Sequence, residues 1–272
     1  MGILRTTRLF DPQKKPLRIA VLFSGGASSA RYVLQECRKH SSVAKKLKFV
    51  GAFSDSSRPR GLRTFEMVNY PTYIVDYAQF MEKNKKKGNE RAWEEYFSRV
   101  LKEVGEWKPD VLMLSGFMNI VREPLLSEFK NRILNVHPAD LTLKENGKIK
   151  YVGKNAVMDA VLAGEPYTRS SVHLVTKNVD CGPLVAVSKK FSVDKERVRE
   201  MVDRGGKKGL KRYVELLQDK MKWEGDGPAF LKALELYADG KLAVKRGKAF
   251  IKENGKWKHG FFDLETGAVK NY

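Results

Sequence analysis

The chain has 272 residues, with 52 Lys and Arg against 32 Asp and Glu, a formal net charge of +20. Hydrophobic residues make up 42%, which supports a packed core and excludes a disordered chain. The longest apolar runs fall far short of the ~20 residues that a membrane-spanning helix needs, so no membrane is expected.

No apolar segment of secretory type follows the basic start of the chain. Cys37 and Cys181 are too few and too far apart for a disulfide framework or a zinc cluster. A cytoplasmic, reducing location and the absence of a metal follow as expectations. The lysine runs near residues 45–48 and 83–87 read as solvated surface. They come with no zinc-finger spacing and no aromatic RNA-binding motif, so nucleic-acid binding is not expected.

The first strong pattern is the β-branched apolar run Leu17–Phe23, followed at once by Ser24-Gly25-Gly26-Ala27-Ser28-Ser29. Residues 30–39 then read as a helix, with Ala30, Val33, Leu34 and Cys37 on one stripe. Further strands are expected at 48–53, 72–75, 111–114 and 132–136, with helices at 62–69, 91–104 and 123–130 between them. Alternation of this kind implies parallel pairing in a doubly wound, mainly parallel α/β sheet of Rossmann type.

The pattern changes after about residue 140. A helix at 155–162 precedes strands at 171–175 and 184–191, joined by a turn-rich stretch. Residues 195–222 form a charged helical region interrupted by Gly205, Gly206 and Gly209. An amphipathic helix at 229–237 and a small hairpin around Arg246-Gly247 close the reading. One domain with C-terminal helices and a hairpin is expected, divided as 1–16 (a basic extension), 17–192 (the main unit) and 193–272 (an extension packed on that unit).

Three segments can carry chemistry. The turn at 24–29 presents backbone N–H groups and a helix N-terminus, which suit a phosphate or simply a serine-capped bend. It lacks the P-loop lysine and the dinucleotide glycine fingerprint, which argues against an ATPase and a standard nicotinamide enzyme. Asn135 and His137 lie two apart at a strand end and so share a face, an amide beside an imidazole. Asp180 lies in a turn, where it caps backbone or orients His137. His173, inside a strand, reads as a buried structural residue.

Taken together, Ser24-Gly25-Gly26-Ala27-Ser28, Gly116-Phe117-Met118, Asn135-Val136-His137-Pro138, Ser171-Val172-His173, Asp180-Cys181-Gly182-Pro183 and Tyr237-Ala238-Asp239-Gly240 are familiar in that order. Across residues 17–252 the chain resembles the phosphoribosylglycinamide formyltransferase family, folate-dependent enzymes of purine biosynthesis. The resemblance implies a formyltransferase-like fold with 10-formyltetrahydrofolate as cosubstrate and a small phosphorylated amine as acceptor. It implies Asn135, His137 and Asp180 as the catalytic trio. Met118, Asn119, Ile120 and Val121 would form the pterin loop, with Asn178 and Val179 as the opposite wall. Gly26, Ala27, Ser28 and Ser29 would hold the acceptor's phosphate.

The chain departs from the family pattern in four places. The family's phosphate turn carries two asparagines that are missing here, and its pterin-loop arginine is Asn119. Residues 144–150 are an insertion. The family's late Glu-His pair is matched only by Glu224 or Asp226. A sugar nucleotide or methionyl-tRNA therefore stays open as acceptor, as does a nonenzymatic basic binding protein on a degenerate transferase fold. The oligomeric state is not legible.

Overall fold

A computed structural model describes residues 7–272. Five parallel strands follow the expected alternation: β1 (Leu17–Phe23), β2 (Leu47–Ser54), β3 (Thr72–Ile74), β4 (Val111–Leu114) and β5 (Ile133–His137). Next come β6 (Ser171–Leu174), antiparallel to β5, and β7 (Leu184–Val187), antiparallel to β6. A three-stranded antiparallel sheet, β8 (Leu242–Lys245), β9 (Lys248–Glu253) and β10 (Lys256–His259), is followed by β11 (Phe261–Asp263) and β12 (Ala268–Lys270). The last two join the edge of the main sheet, whose order is β12-β11-β7-β6-β5-β4-β1-β2-β3.

The central strand β1 shows why a continuous apolar run suits a parallel sheet, which is covered on both faces. Leu17, Ile19, Val21 and Phe23 enter one core, beneath helix α1 (Ser28–Lys39) and the late helix Gly227–Ala238. Ala20 and Leu22 enter the other core, where Tyr96, Phe97, Val100 and Val104 of the Asn89–Gly105 helix cover the opposite face. The result is a sheet between two helical layers.

Several elements are shorter than their sequence patterns, or were not visible in them. The expected strand at 184–191 stops at Val187, and Phe191–Ser192 turns away to pair with Tyr167–Thr168. The helix expected over 62–69 is Leu62–Glu66, and that over 123–130 is Leu125–Glu128. The Lys195–Met221 helix is broken at Gly206, whose φ of 54° and ψ of −134° are not helical. The insertion forms a two-stranded ribbon, Lys144–Glu145 with Lys148–Ile149, turning through Asn146-Gly147 with φ 49° and 75°. Asn254-Gly255 does the same between β9 and β10, with φ 49° and 79°. Both are primed two-residue turns, which require positive φ at each central position.

Of the N-terminal extension, residues 1–6 lie outside the described residues. Leu9 N donates to Leu242 O at 2.8 Å, and Phe10 is buried near the Tyr237 ring.

Candidate active site

One row of residues runs straight across the sheet: Leu22 pairs with Leu114, Leu114 with Asn135, and Asn135 with His173. The segments following β1, β4 and β5 therefore leave from the same end. Strand order reverses between β1 and β4, and in open α/β sheets the crevice at such a switch point is where ligands bind. Ser24 N donates to Gly116 O at 3.1 Å and Met118 N to Ser24 Oγ at 2.8 Å, so the turns after β1 and β4 form its two adjoining lips.

The turn at 24–29 is not capped by serine. The residue before α1 is Ala27, held left-handed at φ 47°, and no side chain caps the helix. Ser29 Oγ instead lies 2.7 Å from Ser115 Oγ, which also accepts from Ala30 N. Gly25 and Gly26 face open space, and Gly26 is exposed. Of the four candidate phosphate residues, Ala27 and Ser29 are buried and Ser28 is half-buried. Main-chain N–H groups near an uncapped helix start attract an anion.

At the β5–β6 side the structure brings Asn135, His137 and Asp180 together. His137 Nδ1 lies 3.4 Å from Asp180 Oδ2, and both side chains are more than nine-tenths buried. The turn that delivers Asp180 puts it left-handed at φ 52°, and Gly153 N donates to its Oδ2 at 2.8 Å. Burial alone would push the Asp180 carboxyl up. Hydrogen bonding from His173, the His137 ring and the Gly153 N–H outweigh burial and hold it at about 2. Burial is also the largest influence on His137 and lowers its pKa below 6.5, with Asp180 working against it. His137 Nε2, on the far side of the ring, is buried with no hydrogen-bond partner.

His173 is buried, as its strand pattern implied, and its Nδ1 lies 3.1 Å from Leu174 O. It is also part of the network. Its Nε2 lies 3.3 Å from Asn135 Nδ2 and 3.5 Å from Asp180 Oδ1, so one carboxylate spans two imidazoles. The sequence signal for this was the antiparallel pairing of Asn135 with His173, which becomes visible only once β6 is known to lie beside β5.

On the β4 lip, Met118 and Ile120 are exposed apolar side chains, as is Val179 on the turn that carries Asp180. Val121 is buried, and Asn119 is drawn aside: its Nδ2 donates to Asp55 Oδ2 at 2.7 Å. Asn178 is exposed, and its carbonyl accepts from Thr176 Oγ1 at 3.2 Å.

Of the two late acids, Glu224 is half-exposed beside Lys220. Asp226 is buried, with Oδ1 unpartnered and its carboxyl raised to about 6, chiefly by burial. The nearby Ser170 hydroxyl and Lys222 charge pull that value down. Ser170 precedes Ser171, which pairs with His137, so Asp226 is linked through Ser170 to the strand that lies beside His137. Among the described residues no group of three His, Cys, Asp or Glu side chains is arranged to hold a metal, and no helix is long and apolar enough to cross a membrane.

Residues 17–217 match the family model described as formyl transferase. The chain is 26% identical over 232 residues to phosphoribosylglycinamide formyltransferase of Haemophilus influenzae, covering 85% of this chain and 98% of that one. It is 28% identical over 240 residues to the trifunctional purine biosynthetic protein adenosine-3 of Gallus gallus. That match covers 87% of this chain but only 20% of the relative, so the chain spans about a fifth of that protein's length. The fold is similar to that of phosphoribosylglycinamide formyltransferase from Coxiella burnetii, with TM-score 0.66 and 23% identity over 89% of this chain and 96% of that one. A formyltetrahydrofolate deformylase from Pseudomonas syringae is also similar in fold, with TM-score 0.64 and 19% identity over 88% of this chain and 66% of that one. With the family match spanning most of the sheet and both lips of the crevice, the chain belongs to the formyl transferase family.

Proposed function

We propose that the protein transfers the formyl group of 10-formyltetrahydrofolate to the amine of phosphoribosylglycinamide, a step of purine biosynthesis. The observation that carries this reading is Asp180 lodged between His137 and His173, with Asn135 on the same strand end, in the switch-point crevice. The formyl-transferase family match and the relatives that bear this activity in their names support it.

Asn135 Nδ2 would donate to the oxygen of the formyl carbon as negative charge develops there. His137, neutral because burial lowers its pKa, would take a proton from the attacking amine through Nε2 and return it to the departing folate nitrogen. Asp180 would hold the ring and steady the imidazolium in between. Met118, Ile120 and Val179 offer exposed apolar surface of the kind a flat pterin covers. Asn119 and Val121 would shape that loop, and Asn178 would help form the facing wall. Gly26, Ala27, Ser28 and Ser29 would receive the acceptor's phosphate. Asp226 suits the acceptor's amine better than Glu224, since it is buried with a free oxygen and linked through Ser170 to the strand beside His137.

Residues 17–192 would carry the trio and both lips, with 193–272 supplying Asp226. Both cysteines are free thiols, which suits a cytoplasmic location.

The test is formyl transfer from 10-formyltetrahydrofolate to a panel of phosphoribosylglycinamide, sugar nucleotides and charged tRNA, with calorimetry of 5,10-dideazatetrahydrofolate beside it. Turnover with phosphoribosylglycinamide is expected. Transfer to another member of the panel would replace the acceptor, and no folate binding at millimolar concentration would defeat the reading altogether.

A further inference from the structure

The loop after β2 presses against the glycine turn of the crevice. Gly61 N donates to Gly25 O at 2.8 Å. A Cβ on Gly61 would sit 2.9 Å from both Ala27 Cβ and Gly26 C, closer than side chains approach. Glycine at 61 is therefore a condition of the contact. Arg58 and Arg60 immediately precede it on the same short loop, and both are exposed.

Two arginines rooted in or beside the sheet are already bonded. Arg18 donates to the carbonyls of Lys108 and Trp107, and Arg169 pairs with Asp263 at 2.8 Å. Arg58 and Arg60 have no hydrogen bond or ion-pair partner among the described residues. The Arg60 charge is felt by Asp219, near the end of the Lys195–Met221 helix. Asp219 itself is tied to Lys222 at 2.7 Å. On the neighbouring α1, the Arg31 guanidinium lies 4.2 Å from the Trp223 ring.

The turn offers main-chain N–H groups and open space, but little side-chain chemistry: Ser29 is engaged by Ser115, and the residue before the helix is an alanine. A dianion there needs neutralising charge, and planar guanidinium groups bind phosphate by paired, charge-assisted hydrogen bonds.

We infer that Arg58 and Arg60 clamp the acceptor's phosphate over the Gly25–Gly26 turn and so select a phosphorylated amine over its unphosphorylated form. The acceptor's identity in this inference rests on the formyl-transfer reading; the phosphate clamp itself does not.

The experiment compares the intact wild type with Arg58→Ala/Arg60→Ala, Arg60→Lys and Gly61→Ala. Calorimetry with ribose 5-phosphate reads the clamp, calorimetry with 5,10-dideazatetrahydrofolate reads the rest of the site, and turnover is measured with phosphoribosylglycinamide and with its unphosphorylated riboside. The double variant is expected to lose ribose 5-phosphate affinity by roughly 10- to 100-fold, the size of a charge-assisted hydrogen bond. Folate affinity and melting temperature should not change. KM for phosphoribosylglycinamide should rise at nearly constant kcat, while the riboside's kinetics stay as they were. Arg60→Lys should keep part of the affinity. Gly61→Ala, which keeps both charges but forces the loop off the turn, should lose much of it.

No measurable ribose 5-phosphate binding by the wild type, or an unchanged affinity in the double variant, overturns the inference. Binding lost in the double variant, in an enzyme that never formylates phosphoribosylglycinamide, supports the clamp and overturns only the acceptor.

Discussion

The β5–β6 side of the crevice and the β1–β2 side differ in how much of their bonding is already complete. Asp180 is held by Gly153 N and lies between two histidines, all nearly free of solvent. Across the crevice the Gly25–Gly26 turn is open, and Arg58 and Arg60 are exposed with no hydrogen-bond or ion-pair partner among the described residues. A site whose groups are fixed before the ligand arrives costs little reorganisation during reaction, which is what acid–base and oxyanion chemistry requires. A site of unpaired cations and bare N–H groups takes its shape from an anion. The first region fits a chemical role and the second a recognition role.

The largest effect is expected from removing the fixed chemistry. His137→Ala and Asp180→Asn should each lower the formyl-transfer rate by ~10²–10⁴, the usual cost of one preorganised proton-transfer or electrostatic partner. Because they act as one unit, the double variant should be no worse than about the poorer single. Melting temperatures should fall for both, and by less for Asp180→Asn, because asparagine tolerates the left-handed backbone at 180 and can still accept from Gly153 N. Strong destabilisation with activity retained would make the cluster structural.

The next effect falls on the fold. A Cβ on Gly182 would collide with the Leu174 carbonyl, a main-chain group that cannot move aside cheaply. Gly182→Ala should cost more than about 2 kcal/mol, read by denaturant melts, because overpacking against backbone has no flexible side chain to absorb it. It should also lower turnover, since Gly182 closes the turn that presents Asp180. Wild-type stability in this variant would mean that the turn is softer than its contacts imply.

These contrasts also explain what was legible in advance. β1 announced itself because a strand buried on both faces is apolar along nearly all its length, here from Ile19 to Phe23, and the glycines after it mark a turn. Asn135 and His137 were readable as a pair because strand alternation is local. The link from His173 to Asp180 was not, because it depends on β6 lying antiparallel beside β5 rather than on any spacing. The strands after residue 255 escaped because Lys256, Trp257 and Lys258 carry no apolar run, although Asn254-Gly255 is a strong hairpin signal. Nothing in the sequence singles out Arg58 and Arg60; their place follows only from the contact of Gly61 with Gly25.

A pH profile sharpens the comparison further. With the His137 pKa lowered below 6.5, the base is already neutral at pH 7, so kcat/KM should be flat there and fall only on the acid side. Asp180→Asn removes the charge that props the imidazole up, so whatever activity remains should have its acid limb at lower pH. A limb that moves up instead would mean that another group titrates. Stability follows the same signs. Asp180, held at about 2, stabilises the fold fully above its ordinary value of 3.8, and that contribution is lost as pH falls toward 2. His137, also depressed, favours the fold above 6.5 and loses that advantage as pH drops below it.

The smallest effect concerns the 144–150 insertion, which touches both regions' chemistry only at one remove. Glu165 accepts from Tyr151 Oη at 2.6 Å and from Lys150 Nζ at 3.0 Å, anchoring the end of the ribbon. Two residues on, Gly153 N donates to Asp180. The anchor keeps the Glu165 carboxyl below its ordinary range, chiefly through the Tyr151 hydrogen bond. Because Lys150 and Glu165 are both partly solvated, Glu165→Gln should cost less than about 1 kcal/mol of stability. If the ribbon serves the fixed side of the crevice, the loosened Gly153 should lower kcat a few-fold and leave the KM for phosphoribosylglycinamide alone. A change confined to KM would move the insertion to the recognition side, beside the arginines, and redraw the boundary between the two regions.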